Sequence, residues 1–274
     1  MHEIMIGYCS GDRVHPAFLQ SLADWGIWDA YNRKTLHSIT HAKGPSITDN
    51  RNRIVEKFLV AKTESGYFAD WLLFIDSDIK FKVSDPYTLL EYATKLGDSG
   101  RIMSGLYFGR PGSSGKIVPV WYEFGEDNNK DFYMINSMNG KPCQKIDGCG
   151  MGFCLVHRSI FEAFPDQNDP WRWFGRDLQK MNGVWTRVSE DLTFCYRAGK
   201  NGLGFDIWGN RAVALDHIKE GEENLARYIN ETGIKPVVQS STENSKSNNN
   251  KPLVEFNRIN KDKSNPILDQ ATSQ

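Results

Sequence analysis

Five consecutive apolar residues, Trp71-Leu72-Leu73-Phe74-Ile75, give way at once to Asp76-Ser77-Asp78. The run is too short for a stable helix, and it lacks the alternation that would leave one face in water. It therefore predicts a central strand covered on both faces. Such a strand commits the chain to a layered architecture, because an apolar element must lie on each side of it.

The neighbouring segments supply those layers. Residues 4–9 read as a buried first strand that opens into a loop at Ser10-Gly11-Asp12. Phe18, Leu19, Leu22 and Trp25 recur at helical spacing, and Gly26 predicts where that helix stops. Thr48 is the expected N-cap of a second helix, with Ile54, Val55, Phe58 and Leu59 on one face and Arg51 and Arg53 in its opening turns. Residues 86–96 predict another helix and 101–108 the strand after it. Residues 121–124 and 132–136 predict a hairpin around the polar loop 126–130. A strand over 153–156 is expected after the glycine-punctuated 147–152. A helix capped by Ser189 follows and ends at Gly199, with Leu192, Cys195 and Tyr196 on its apolar side.

Alternating strands and helices predict an α/β fold with a doubly wound sheet. One domain is expected over 1–235. Residues 239–251 contain no aliphatic or aromatic side chain, so burial cannot offset their ordering entropy, and 236–274 read as a flexible polar tail.

Composition narrows the function classes. A net charge of -1 gives no global electrostatic reason to bind nucleic acid. No apolar stretch approaches the roughly 20 residues that cross a bilayer, so no membrane insertion is expected. Without a basic, apolar leader the expected location is cytoplasmic. Cys9, Cys143, Cys149, Cys154 and Cys195 are odd in number and lack zinc spacing, which suits reduced packing residues.

Three groups of residues can carry chemistry. Asp76 and Asp78 leave a buried strand two positions apart, so both carboxylates can converge on one hard divalent cation. The same triplet also suits a solvated turn in which one Asp caps a helix. Its place after Leu-Leu-Phe-Ile puts both charges at the edge where α/β sheets bind ligands. Glu190-Asp191 opens a helix, where the dipole favours carboxylates, and one of the pair can equally remove a proton from a hydroxyl. His217 ends the apolar run 212–216, where a neutral imidazole can complete an oxygen-rich metal sphere or simply hydrogen-bond at the surface. Trp171, Trp173, Phe174 and Trp185 form an aromatic group whose flat faces can stack on sugar rings or pack in the core.

In their order, Tyr8-Cys9-Ser10-Gly11, Thr48-Asp49-Asn50-Arg51-Asn52-Arg53, Leu73-Phe74-Ile75-Asp76-Ser77-Asp78, the loop 147–152, the Glu-Asp pair and the late His resemble the GT-A class of glycosyltransferases. The likeness is to family 2-like enzymes of small bacterial or bacteriophage type and spans about residues 3–220; a viral source would put the protein in the host cytoplasm. The resemblance implies a Rossmann-like mixed sheet flanked by helices in an α/β/α sandwich, a nucleotide-sugar donor, a UDP-sugar, Mn2+ or Mg2+ as cofactor, and an acceptor hydroxyl on a glycan, a protein or modified nucleic acid. It implies that Tyr8, Ser10 and Ser77 meet the donor, that Arg51 reaches its base or diphosphate, and that Asp76 touches ribose or metal. Asp78 would ligate the metal directly, with His217 as a further ligand. Asp191, with Glu190 beside it, is similar to the base of inverting members. Gly150, Met151 and Gly152 fall on the acceptor side, with Trp171 and Trp173 as a sugar platform.

Two other readings share these features. One is a non-catalytic module that binds a nucleotide sugar or glycan. The other is a nucleotidyltransferase, which would carry a glycine-rich, basic phosphate loop after the first strand; Ser10-Gly11-Asp12-Arg13 matches that poorly.

Overall fold

The computed structural model describes residues 2–11, 13–62, 66–109, 117–125, 132–135, 140–165, 169–175, 178–181, 184–218, 222–223, 229, 236–238 and 254–256. The chain begins with strict alternation: β1 (Ile4–Ser10), α1 (Pro16–Asn32), β2 (Leu36–Lys43), α2 (Ile47–Val60) and β3 (Trp71–Asp76). Then come β4 (Ile79–Lys80), α3 (Ser84–Leu96), β5 (Ile102–Leu106), β6 (Phe108–Gly109), β7 (Val118–Pro119), β8 (Trp121–Phe124) and β9 (Phe132–Met134). The remainder of the folded body is β10 (Cys143–Ile146), β11 (Gly148–Cys149), β12 (Phe153–His157), α4 (Arg158–Glu162), β13 (Leu178–Met181), β14 (Val184–Arg187), α5 (Glu190–Ala198), β15 (Ile207–Ala214) and β16 (Asp216–Ile218).

The main sheet has seven strands in the order β10-β15-β5-β12-β3-β1-β2. β1 lies parallel to β2 on one side and β3 on the other, with Cys9 opposite Asp76 and Ser10 opposite Lys43. The carboxyl ends of all three strands therefore reach one edge. β12 is antiparallel to both β3 and β5, and β10 is antiparallel to β15, so the sheet is mixed. The alternation of strands and helices thus folds as an α/β sheet, and its mixed, Rossmann-like form is the one that the resemblance implies.

The two faces of β3 bury different layers, as its unbroken apolar run requires. Leu72 and Phe74 pack with Ile54, Val55 and Phe58 of α2 on one face. Trp71, Leu73 and Ile75 pack with Phe18 and Trp25 of α1 and Leu89 of α3 on the other. Each such side chain, once fully buried, contributes roughly 1.5–3 kcal/mol. Close packing brings α2 onto β1 at Gly7, where a Cβ would stand 2.4 Å from Ile54 Cγ2. Arg51, one turn before Ile54, is thereby held against the sheet edge.

Several boundaries differ from the sequence expectations. α1 does not stop at Gly26 but runs to Asn32. Asp29 explains the extension: it is 1% exposed and its carboxylate accepts from Thr35 N–H at 3.1 Å, Thr35 Oγ1 at 2.6 Å, Leu36 N–H at 2.8 Å and Tyr87 Oη at 2.7 Å. These bonds join the last turn of α1 to β2 and α3, and outweigh the local cost of a helical glycine. β2 itself went unforeseen; it is the sheet's edge strand, and its outer positions Ile39, His41 and Lys43 are exposed. The N-cap of α2 is Ser46, whose Oγ accepts from Asp49 N–H at 3.2 Å, rather than Thr48, which is already helical and buried. The hairpin β8–β9 forms as expected, while its loop 126–130 lies outside the described residues. Of the expected tail, Pro236–Val238 and Val254–Phe256 pair antiparallel, and the rest of it lies outside the described residues.

Burial pushes the Asp29 carboxyl upward, but its hydrogen bonds with Thr35, Leu36 and Tyr87 act the other way, and the net shift is down. A lowered folded value means that the stabilisation is full above the unfolded carboxylate value of about 3.9 and is lost as pH falls through the folded value. Asp29→Ala should therefore cost about 3 kcal/mol at neutral pH, with a smaller gap from wild type near pH 3. Urea unfolding at both pH values checks this; a gap that widens in acid would contradict it.

Candidate active site

The converging strand ends open into a cleft of about 410 Å³, within the range of small-molecule sites. Its lining includes Ser10 from β1, Arg51 from α2, Asp76, Ser77 and Asp78 from the end of β3, and Glu190 and Asp191 from α5. Residues as far apart in sequence as Cys9 and Asp191 thus share one cavity because parallel strand ends and a helix N-terminus meet there. The carboxylates Asp76, Asp78, Glu190 and Asp191 face one guanidinium, Arg51, so the described lining carries an excess of negative charge.

His217 reaches Asp78 through the minor sheet. β16 pairs antiparallel with β4, setting His217 opposite Ile79, and Ile218 N–H donates to the Asp78 carbonyl at 2.8 Å. The ring is 6% exposed. Its Nδ1 lies 2.7 Å from the Phe108 carbonyl, an atom that can only accept, so Nδ1 carries the proton. Nε2 then lies 3.3 Å from Asp78 Oδ2. Either a proton on Nε2 or a metal cation can stand between these two atoms. An imidazole oriented by a backbone carbonyl is also how metal-bound histidines are commonly held.

Among the described residues no group of three or more His, Cys, Asp and Glu side chains is gathered to hold a metal unaided. Asp76 turns its Oδ1 toward Arg51 Nη2 at 3.3 Å, while its Oδ2 lies over Gly152. The donor set nevertheless fits a hard dication of the magnesium type, which usually takes one or two carboxylates and completes its shell with substrate phosphates and water.

Arg51 is the least exposed charged group of the cleft, at 3%. Nη1 donates to Glu190 Oε1 at 2.8 Å and contacts Asp191 Oδ1. Burial acts to lower its pKa, but Asp76 and Glu190 act the other way and hold it above its ordinary value. Its terminal nitrogens thus serve protein carboxylates, as the burial of a charge demands. Cys9, also in the lining, has its thiol pushed up to about 12 by burial, which favours the protonated form over the nucleophilic thiolate.

Several expected contacts are repositioned. Ser10 lines the cleft, but Tyr8 lies outside its lining, tilted against Phe18 and stacked on His41 with ring centroids 4.7 Å apart. His41 was missed from sequence because β2 was missed; its Nε2 is 2.6 Å from Ser10 Oγ. Gly150, Met151 and Gly152, expected on the acceptor side, are buried and are not among the residues that line the cleft. Met151 is 1% exposed, and a Cβ on Gly150 would stand 1.9 Å from Tyr107 Oη. Gly152 donates its N–H to Tyr107 Oη at 3.0 Å and accepts from Asp76 N–H at 2.9 Å, so this loop supports Asp76 from beneath.

The aromatic platform also divides. Trp173 is 1% exposed, its indole N–H donating to the Phe161 carbonyl at 2.9 Å, so it belongs to the core and offers no face to a sugar. Trp171 is 54% exposed and donates to Asp49 Oδ1 at 2.9 Å, in the opening turns of α2. Phe174 lies beneath Arg51, and the side chain of Trp185 lies outside the described residues.

Among the described residues no helix is long and apolar enough to cross a membrane. No known protein-family profile and no curated protein matches the chain. Solved structures do. A197 from STIV matches with a TM-score of 0.50 and 14% identity over 79% of this chain and 86% of that one, a likeness of fold. GalNAc-T7, crystallised with UDP, GalNAc and Mn2+, matches with a TM-score of 0.46 and 11% identity over 85% of this chain and 48% of that one. S. aureus TarS matches with a TM-score of 0.40 and 12% identity over 76% of this chain and 36% of that one. The chain thus spans about half of the GalNAc-T7 chain and about a third of the TarS chain.

Proposed function

We propose that the protein is a metal-dependent glycosyltransferase of hexosyltransferase type, moving a sugar from a nucleotide-diphosphate sugar, a UDP-sugar, to an acceptor hydroxyl. The observation that carries this reading is the approach of His217 Nε2 to Asp78 Oδ2 at 3.3 Å beside a cleft lined with further carboxylates at the sheet's ligand edge. Asp78 and His217 would hold a Mn2+ or Mg2+ ion, with Asp76 at the ion or the donor ribose. When bound, that ion supplies Lewis-acid stabilisation of charge on the departing nucleoside diphosphate.

The chain's own groups supply the rest. Ser10 and Ser77 present hydroxyls along the cleft for the nucleotide. Asp191 accepts the proton of the attacking acceptor hydroxyl, and Glu190, deeper and bonded to Arg51, fixes the helix end that carries it. Negative charge in excess along the cleft repels a bare diphosphate, so donor binding should require the cation.

The test needs no acceptor. Purified protein incubated with UDP-sugars and manganese should slowly hydrolyse one of them and release uridine diphosphate, and excess chelator should stop the release. Hydrolysis untouched by chelation, or none with any nucleotide sugar, contradicts the proposal.

A further inference from the structure

We infer that Arg51 is a positioning residue, a buried clasp that sets the distance between the general base and the metal-binding strand end and that does not bind the donor. The inference deepens the glycosyltransferase reading and rests on it for its kinetic part. One guanidinium meets carboxylates from two distant parts of the chain. Nη2 reaches Asp76 Oδ1 at 3.3 Å, at the end of β3, while Nη1 reaches Glu190 Oε1 at 2.8 Å and contacts Asp191 Oδ1, on the first turn of α5. No other described cation lines the cleft.

The clasp is itself held from behind. Arg51 lies over the ring of Phe174, 5.9 Å from its centroid. The next residue, Asn52, donates to the Phe174 carbonyl at 2.8 Å and accepts from Phe174 N–H at 3.2 Å. α2 therefore delivers Arg51 from a fixed base. A planar fork holds its donors at a fixed spacing, two carboxylates on one side and a third on the other; a compact ammonium on a flexible stem does not fix that spacing, so lysine is not an equivalent. Without the clasp, three carboxylates face each other without a counterion, and Asp191 is free to drift from its working position. A displacement of about 1 Å in a catalytic group costs on the order of 100-fold in rate.

A thermal-melt cycle and a kinetic split test this. Arg51→Met should melt well below wild type, and adding Glu190→Gln in that background should raise the melting temperature again, although Glu190→Gln alone lowers it. If Arg51→Met does not fold, Arg51→Lys takes its place in the same cycle. In kinetics, Arg51→Lys should lower kcat about 100-fold while the affinity for uridine diphosphate with manganese stays within about threefold. Additive melting changes, or an affinity loss as large as the kcat loss, would overturn the inference, the latter assigning Arg51 to the donor. Should wild type bind no uridine diphosphate, the glycosyltransferase reading fails while the melting cycle alone decides the role of Arg51.

Discussion

Asp78→Ala is expected to lower sugar transfer by more than about 100-fold while the protein keeps its melting temperature. The magnitude follows from its place: groups that only orient metal ligands cost 10- to 100-fold when removed, and a ligand itself costs more. The unchanged fold follows from its surroundings, since the carboxylate is partly exposed at the end of a strand and the strand's stability comes from the apolar run before it. Its backbone bond to Ile218 does not depend on the side chain. Transfer rates and melting curves on the same preparations check both halves. Activity within a few-fold of wild type would remove Asp78 from the metal site.

The second large effect is expected at Asp191. Asp191→Asn preserves size but cannot take a proton, so kcat should fall by about 10²–10⁴ while donor affinity changes little. Glu190→Gln, deeper in the protein and bonded to Arg51, should instead show its main effect in stability. Steady-state kinetics with a saturating donor separate the two. A full kcat loss in Glu190→Gln with a mild one in Asp191→Asn would exchange their roles.

The parts of the fold that sequence made legible are those where one local pattern had a single physical solution. The run 71–75 has to be covered on both faces, and it is; the carboxylates after it have to emerge at the sheet edge, and they line the cleft. Ser189 has no better use than to cap α5, and its Oγ accepts from Leu192 N–H at 3.4 Å. Where tertiary contacts decide, the sequence was silent. Gly26 reads as a stop, yet α1 continues because the Asp29 carboxylate finds four donors, three from Thr35 and Leu36 at the entry to β2 and one from Tyr87 of α3, a partner that only the folded chain brings near. β2 is half exposed at an edge, so its apolar residues are too few to show a period.

The candidate site was legible to the same degree. Residue types and order picked out Asp78, His217, Asp191 and Glu190, but not which partners each would find. Trp171 and Trp173, two positions apart, looked alike; one is exposed and the other seals the core through the Phe161 carbonyl. The resemblance puts Gly150 and Gly152 on the acceptor side, but sequence gives no sign that the Tyr107 side chain lies against both, where a Cβ would meet it. Arg51 looked like a ligand-reaching cation, and only the approach of α2, β3 and α5 reveals the three carboxylates that it joins.

The most direct measurement is manganese anomalous scattering from crystals soaked with manganese and uridine diphosphate. A peak bound by Asp78 and His217 and bridging to the diphosphate is the predicted result. A nucleotide seated away from this cleft, or manganese gathered elsewhere on the protein, would contradict it.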